Sequence, residues 1–300
     1  MTTPTQGKAV GRMEFGDHLC LSYDNADERQ AILLSYIRDG LAADHKIVYL
    51  SDEDPPETVV DWLGSAPEAA GLDLAGALDS GALVVRTAEE AYMATGRFDP
   101  DEIIGLFGTE IELALTQGYK GVRVTGEETF SLRGWPGTER FAEFERKIDE
   151  VFRTSQVNAM AICQYDRRWF DAARLAELES YHVGRVRADD LHDDGTLRIT
   201  PAFGPPGLVL AGVVDAAARP ALTTALATLP ARAGLVCLDL STVDGCDEDG
   251  LRGMLEAARD GGGGRRRHVL LRGVPEKAAV LLRDTGLLAM PGISVENGTP

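Results

Sequence analysis

Short apolar runs separated by longer stretches with helical spacing are the feature that most restricts what this chain can fold into. Ile47-Val48-Tyr49-Leu50, Ala82-Leu83-Val84-Val85, Val122-Arg123-Val124 and Ala159-Met160-Ala161-Ile162-Cys163 are too short for helices and, Arg123 apart, too continuously apolar for one-sided strands. Between and around them, Asp27–Ala42, Glu57–Leu63, Asp99–Gln117 and Thr138–Ser155 read as helices. In the last of these, Phe141, Phe144, Ile148, Val151 and Phe152 form one stripe. Such alternation predicts an α/β fold with a mostly parallel sheet flanked by helices.

The same alternation resumes after residue 206 on a smaller scale. Leu208–Asp215, Gly234–Leu240 and His268–Leu271 read as strands, and Ala217–Thr228, a stretch from Asp249, and Pro275–Thr285 as helices. Between the halves, Asp189, Asp190, Asp193, Asp194 and Gly195 are followed by Pro201, Gly204, Pro205 and Pro206, a composition that reads as a boundary. The expected division is a first domain over 1–190, a linker over 191–206, and a smaller α/β domain over 207–300. A chain of 300 residues has the length for two cores.

Charge separates the halves as well. Residues 1–199 hold 20 Lys and Arg against 37 Asp and Glu, whereas the remainder holds 10 against 11. A first half this acidic repels a phosphate backbone, and Arg265-Arg266-Arg267 after the Gly261–Gly264 run reads as a solvated turn, so no nucleic-acid partner is expected. No apolar run suits a membrane span, and the N-terminus lacks the apolar core of a signal peptide, so the expected location is cytoplasmic with no membrane partner. Four scattered cysteines, Cys20, Cys163, Cys237 and Cys246, form no CxxC pair and are expected as reduced thiols.

The first half opens as a nucleotide-binding fold does, without the loop that holds phosphate. Gly16–Pro55 resembles the opening of a RecA/KaiC-type ATPase, yet Ser22-Tyr23-Asp24-Asn25-Ala26-Asp27-Glu28-Arg29-Gln30 stands where GxxxxGK[ST] is required. No glycine there frees backbone amides for phosphate, no Lys-Ser/Thr pair meets phosphate and Mg²⁺, and three acids take their place. Together with Asp17-His18-Leu19-Cys20, Gly121-Val122-Arg123-Val124-Thr125-Gly126-Glu127 and Ala161-Ile162-Cys163-Gln164-Tyr165-Asp166-Arg167-Arg168, this degenerate opening resembles the MEDS sensory domain over residues 10–185. The resemblance implies sensing of a small molecule and no other cofactor.

All three motifs lie at or beside strand ends, where open α/β sheets form ligand crevices. His18, Cys20, Tyr23, Arg123, Glu127, Gln164, Tyr165 and Asp166 are therefore the candidate ligand-binding residues. His18 and Cys20, two apart on a strand, share a face and suit a soft metal or an electrophile; alternatively, Cys20 is a small core hydrophobe and His18 a hydrogen-bonded strand residue. Arg123, Glu127 and Asp166 offer charge to a polar ligand or form an internal ion-pair network. His45, His182, His192 and His268 show no partner spacing.

In the second half, Gly212-Val213-Val214-Asp215 with Pro220-Ala221-Leu222, then Leu238-Asp239-Leu240-Ser241-Thr242-Val243, Gly250-Leu251, and Gly273-Val274-Pro275 with Thr285-Gly286-Leu287 resemble a STAS domain over residues 197–298. The resemblance implies an anti-sigma-factor antagonist that docks onto an anti-sigma factor or a related serine-kinase-like protein. It also places Asp247, Glu248, Asp249 and Gly250 on the family's Asp-Ser-Ser/Thr-Gly phosphosite, with Glu248 on the missing hydroxyl. A carboxylate there either caps the helix, worth about 1 kcal/mol, or supplies constitutive negative charge to the helix start. Ser241 and Thr242 are then the nearest hydroxyls, expected at the strand end.

The combined reading is a non-catalytic signalling and regulatory protein. Two alternatives stay beside it. One is a scaffold that oligomerises without sensing, and the other an enzyme with Glu127 or Asp166 as base and Cys20 as nucleophile.

Overall fold

The computed structural model describes residues 7–66, 69, 71–154, 156–230, 233–261 and 265–296. Two expectations fall partly outside them: the glycine run at 261–264, through 262–264, and the N-terminal stretch 1–17 read for a signal peptide, through 1–6. The chain divides at Arg187/Ala188 into two units.

The first unit is built in the order β1 (Lys8–Ala9), β2 (His18–Tyr23), α1 (Ala26–Ala42), β3 (His45–Ser51), α2 (Pro56–Ser65), α3 (Leu74–Asp79), β4 (Leu83–Thr87), α4 (Ala88–Tyr92), α5 (Pro100–Thr116), β5 (Gly121–Glu127), α6 (Phe141–Thr154), β6 (Ala159–Asp166), α7 (Ala172–Glu179) and β7 (Gly184–Arg187). Its seven strands run β1-β7-β2-β6-β5-β3-β4, every pair parallel. Helices cover both faces, which is why all eight residues of β6 are buried and why these strands read as unbroken apolar runs. The α6 stripe is realised as part of the aromatic core: Phe141 and Phe144 pack with Phe98 and Phe130.

Alternation along each strand sends its side chains to two different layers. Tyr49, Arg123, Thr125 and Gln164 face α1, while Val48, Leu50, Val124, Gly126, Ala161 and Cys163 face α4, α5 and α6.

The second unit contains β8 (His192–Asp193), β9 (Leu197–Phe203), β10 (Pro206–Val214), α8 (Arg219–Ala227), β11 (Leu235–Cys246), α9 (Glu248–Arg259), β12 (His268–Arg272), α10 (Glu276–Asp284) and β13 (Ile293–Val295). Its sheet runs β13-β12-β11-β10-β9-β8, parallel from β13 to β10 and antiparallel from β10 to β8. This corrects the expected linker over 191–206. Leu197 and Ile199 are buried in the core and β9 pairs with β10 in register, so the Asp/Pro/Gly-rich stretch encodes tight hairpin turns at one side of a sheet. Strand β11 also runs further than expected, placing Ser241 and Thr242 inside it; Thr242 Oγ1 donates to Leu210 O at 2.9 Å. Among the described residues, no helix is long and apolar enough to cross a membrane.

Candidate functional site

Where β2 passes into α1, only Asp24 and Asn25 intervene. Asn25 Oδ1 accepts the N–H groups of Asp27 at 2.9 Å and Glu28 at 3.1 Å, so the helix start is capped by its own chain. One turn on, the buried Arg29 side chain reaches under the sheet's end. Its Nε donates to Gln164 Oε1 at 2.7 Å, one Nη donates to Tyr49 Oη at 2.6 Å, and the same nitrogen is paired with Glu127. Glu127 is held further by Tyr49 Oη at 3.0 Å and by the backbone N–H groups of Asp52 at 2.9 Å and Glu53 at 2.8 Å. Gln164 Nε2 donates to Thr125 Oγ1 at 2.9 Å.

This closed network absorbs two of the candidate ligand residues, Glu127 and Gln164. Tyr23 packs its ring 5.4 Å from the Arg29 guanidinium carbon, and its hydroxyl is held neutral by burial. Asp166 turns onto Arg168; burial opposes its ionisation, but the Arg168 side chain and N–H outweigh that and hold the carboxyl below its ordinary value. Arg123 lies apart from these groups, donating to His45 Nδ1 at 3.1 Å and Tyr36 O at 2.9 Å, its pKa lowered by burial. The internal ion-pair alternative therefore describes Glu127 and Asp166, while Arg123 is held by a histidine ring and a backbone carbonyl.

On the other face, a cavity of about 370 Å³ opens between the sheet and helices α4, α5 and α6. Val48, Val84, Val124, Ile103, Phe107 and Phe152 give it apolar walls. Gly126 keeps the floor open, because a Cβ there would stand 2.9 Å from Glu128 Oε1 and 3.2 Å from Tyr92 Oη. Its polar lining includes His18, Cys163 and Glu128 together with Arg86, Glu90 and Glu110. Burial raises the Glu128 carboxyl well above the ordinary carboxylate range, and does the same to the Cys163 thiol with help from the nearby Glu145 carboxylate.

His18 does not share a site with Cys20. The Cys20 thiol donates to Gly184 O at 3.5 Å, and burial pushes its pKa up to about 12. Instead the neighbouring strand supplies the partner: His18 Nε2 lies 3.3 Å from Cys163 Sγ. Glu145 on α6 and His182, just after α7, complete a group of four donors that all lie within 4.8 Å of one another, every one buried. Glu145 Oε2 is 3.7 Å from His18 Nε2 and 3.6 Å from His182 Nε2, while its Oε1 accepts from Tyr165 Oη at 2.7 Å. Tyr165 thus orients a member of the cluster. Burial raises the Glu145 carboxyl and lowers His182 well below the usual imidazole value.

Sequence reasoning missed Glu145 and His182 and took Cys163 only as a reduced thiol. The one available signal was a Glu on the buried stripe side of an amphipathic helix, four residues before Asp149, in a position flanked by Phe144 and Ile148.

In the second unit, Asp247 Oδ1 accepts from Gly250 N–H at 2.7 Å and caps α9. Glu248 pairs with Arg252 at 2.6 Å with its side chain half exposed, and Asp249 is exposed. Gly250 is buried against the end of β10, where any Cβ would collide with the Val214 backbone.

A family model described as MEDS, the methanogen/methylotroph, DcmR sensory domain, matches residues 17–183. A second, described as Mlab, STAS domain, matches residues 198–291. No curated protein matches the chain. Among solved structures, a KaiC-like protein from the hyperthermophilic archaea Pyrococcus horikoshii OT3 is similar, with 11% sequence identity and a TM-score of 0.40 over 66% of this chain and 79% of that one.

Proposed function

The chain belongs to the MEDS family of sensory domains through residues 17–183 and carries a STAS domain at 198–291, and from this pairing we propose that it is a non-catalytic signalling protein that binds a small, largely apolar molecule. The observation that carries the reading is the cavity over the parallel sheet. Its volume of about 370 Å³ falls in the range of roughly 300–1,000 Å³ that small-molecule sites occupy. Apolar walls suit a compact hydrocarbon skeleton, and the polar lining residues, among them His18, Cys163 and Glu128, suit a polar or polarisable group on it.

The capped, two-residue β2–α1 connection and the Arg29–Glu127 network support a fold that has exchanged nucleotide binding for structure. The Cys20 thiol, held protonated by burial, supports the non-catalytic reading over a Cys20 nucleophile.

For the STAS domain, the proposed partner is an anti-sigma factor or a related serine-kinase-like protein meeting the start of α9. The exposed acids Glu248 and Asp249 support a contact that is set by fixed negative charge. Cytoplasmic placement completes the proposal.

Benzene is a suitable cavity probe because it binds apolar voids of about 150 Å³, and this cavity of about 370 Å³ has room for it against the apolar walls. It should raise the melting temperature of the wild-type chain by mass action, and Val124→Phe, which fills the cavity, should remove the shift. An equal shift in both proteins would overturn the cavity as the sensing site.

A further inference from the structure

We propose that His18, Glu145, Cys163 and His182 hold one zinc-class divalent metal ion in a closed tetrahedral site, where the sheet meets α6 and the segment following α7. This inference stands on the cluster itself and does not depend on the cavity taking a ligand.

The spacing of the donors suits a single ion. In a tetrahedron, neighbouring donors stand about 1.6 bond lengths apart, so metal bonds of about 2.0–2.3 Å place them about 3.3–3.8 Å from one another. Three of the six separations fall in this range, 3.3 Å from His18 Nε2 to Cys163 Sγ, 3.7 Å from His18 Nε2 to Glu145 Oε2, and 3.6 Å from His182 Nε2 to Glu145 Oε2, and all six lie within 4.8 Å, so the set needs only a small contraction around an ion. The two distances to Glu145 Oε2 are too long for hydrogen bonds and right for two ligands of one ion.

Two polar atoms of the cluster are also left unmet. Glu145 Oε2 and His182 Nε2 are buried and have no hydrogen-bond partner among the described residues. Buried polar atoms are costly to leave unpaired. Both point into the same small volume, and a cation there would satisfy them together.

Both imidazoles turn Nε2 toward the cluster. His182 Nδ1 lies 2.9 Å from Leu178 O, and a carbonyl only accepts, so Nδ1 carries the hydrogen and Nε2 presents its lone pair to the cluster. His18 turns Nε2 inward, while its Nδ1 stands 3.5 Å from Asp149 Oδ1, close to a carboxylate but without a hydrogen bond to it. Glu145 is oriented by Tyr165, whose hydroxyl donates to its Oε1. A set of one thiolate, two imidazoles and one carboxylate suits zinc better than the hard ions calcium or magnesium.

The donors come from β2, α6, β6 and the segment between α7 and β7, so the ion would pin α6, which roofs the cavity, to the sheet. Cys20 lies outside the set.

The test is reconstitution of the full chain with cobalt(II), read by its absorption. Wild type should bind about one ion per chain, with the intense visible bands of a tetrahedral site and a sulfur-to-cobalt charge-transfer band. Cys163→Ser should lose the charge-transfer band, and His182→Ala and Glu145→Gln should each weaken binding by about tenfold or more. Cys20→Ser should keep both stoichiometry and spectrum. Wild type that binds no cobalt or zinc while showing a native circular-dichroism spectrum would overturn the proposal. So would octahedral cobalt without the sulfur band, or undiminished binding by a Cys163→Ser/His182→Ala chain, since either places the ion among the surface acids.

Discussion

Arg29 in the first turn of α1 donates from Nε to Gln164 Oε1 at 2.7 Å, tying the helix start to the end of β6 where a nucleotide-binding fold keeps space for phosphate. The same guanidinium neutralises Glu127 at the end of β5, so both charges are buried together. Arg29→Met removes one partner and leaves Glu127 with backbone and Tyr49 donors but no counter-charge. Breaking a buried pair in this way costs about 3–5 kcal/mol. Urea unfolding of the first unit should show a loss of that size; a loss below about 1 kcal/mol, typical of an exposed pair, would mean the network does not hold these strand ends.

ATP with Mg²⁺ should give no binding heat in calorimetry. The N–H groups of Asp27 and Glu28 are already taken by Asn25, and Asp24, Asp27 and Glu28 oppose a polyphosphate. Micromolar binding that is lost on replacing Asn25 would contradict this.

At the start of α9, Asp247→Ala should destabilise the second unit by about 1 kcal/mol through loss of the cap. Glu248→Gln should change stability by less than about 0.5 kcal/mol, because it removes only a half-exposed i,i+4 pair with Arg252. If the carboxylate acts as fixed charge against a partner, both Glu248→Ser and Glu248→Gln should tighten binding to an anti-sigma factor measured by pull-down. Tightening by Ser alone would assign the effect to bulk, and no change in either would leave Asp247 capping as the role of this acidic run.

Asp194 sets a pH dependence in the β8–β9 turn. The N–H groups of Leu197 and Thr196 and the His192 ring hold its carboxyl down to about 2. A lowered folded value means its contribution to the turn is full above the ordinary aspartate value of about 3.9 and is lost as pH falls toward the folded value. Carbon-detected NMR should place the Asp194 midpoint near 2, with the Thr196 and Leu197 amide signals moving at the same pH. An unshifted midpoint would show that these amides do not bond to it in solution.

Much of this molecule was already legible in local sequence. Apolar runs such as Ile47–Leu50 announced strands because burial on both faces leaves no polar positions, and β3 realises that run with one or two residues added at each end. The acids after Leu240 announced a helix cap, since a side chain three residues before a free N–H needs only local geometry to reach it. The absence of a phosphate loop was equally local. What the tertiary structure alone decided was the company each side chain keeps. Parity on β2 put His18 and Cys20 on one face, but only the pairing of β2 with β6 brought Cys163, 145 residues away, within 3.3 Å of His18 and left Cys20 on Gly184. Glu145 and His182 each come from a separate element that contributes one donor, so no spacing along the chain encodes their meeting; strand register and helix packing do. Leu197–Phe203 read as linker because its apolar/polar alternation, Leu197-Arg198-Ile199-Thr200, stops at Pro201 among turn residues, and only pairing with β10 holds Leu197 and Ile199 over the core.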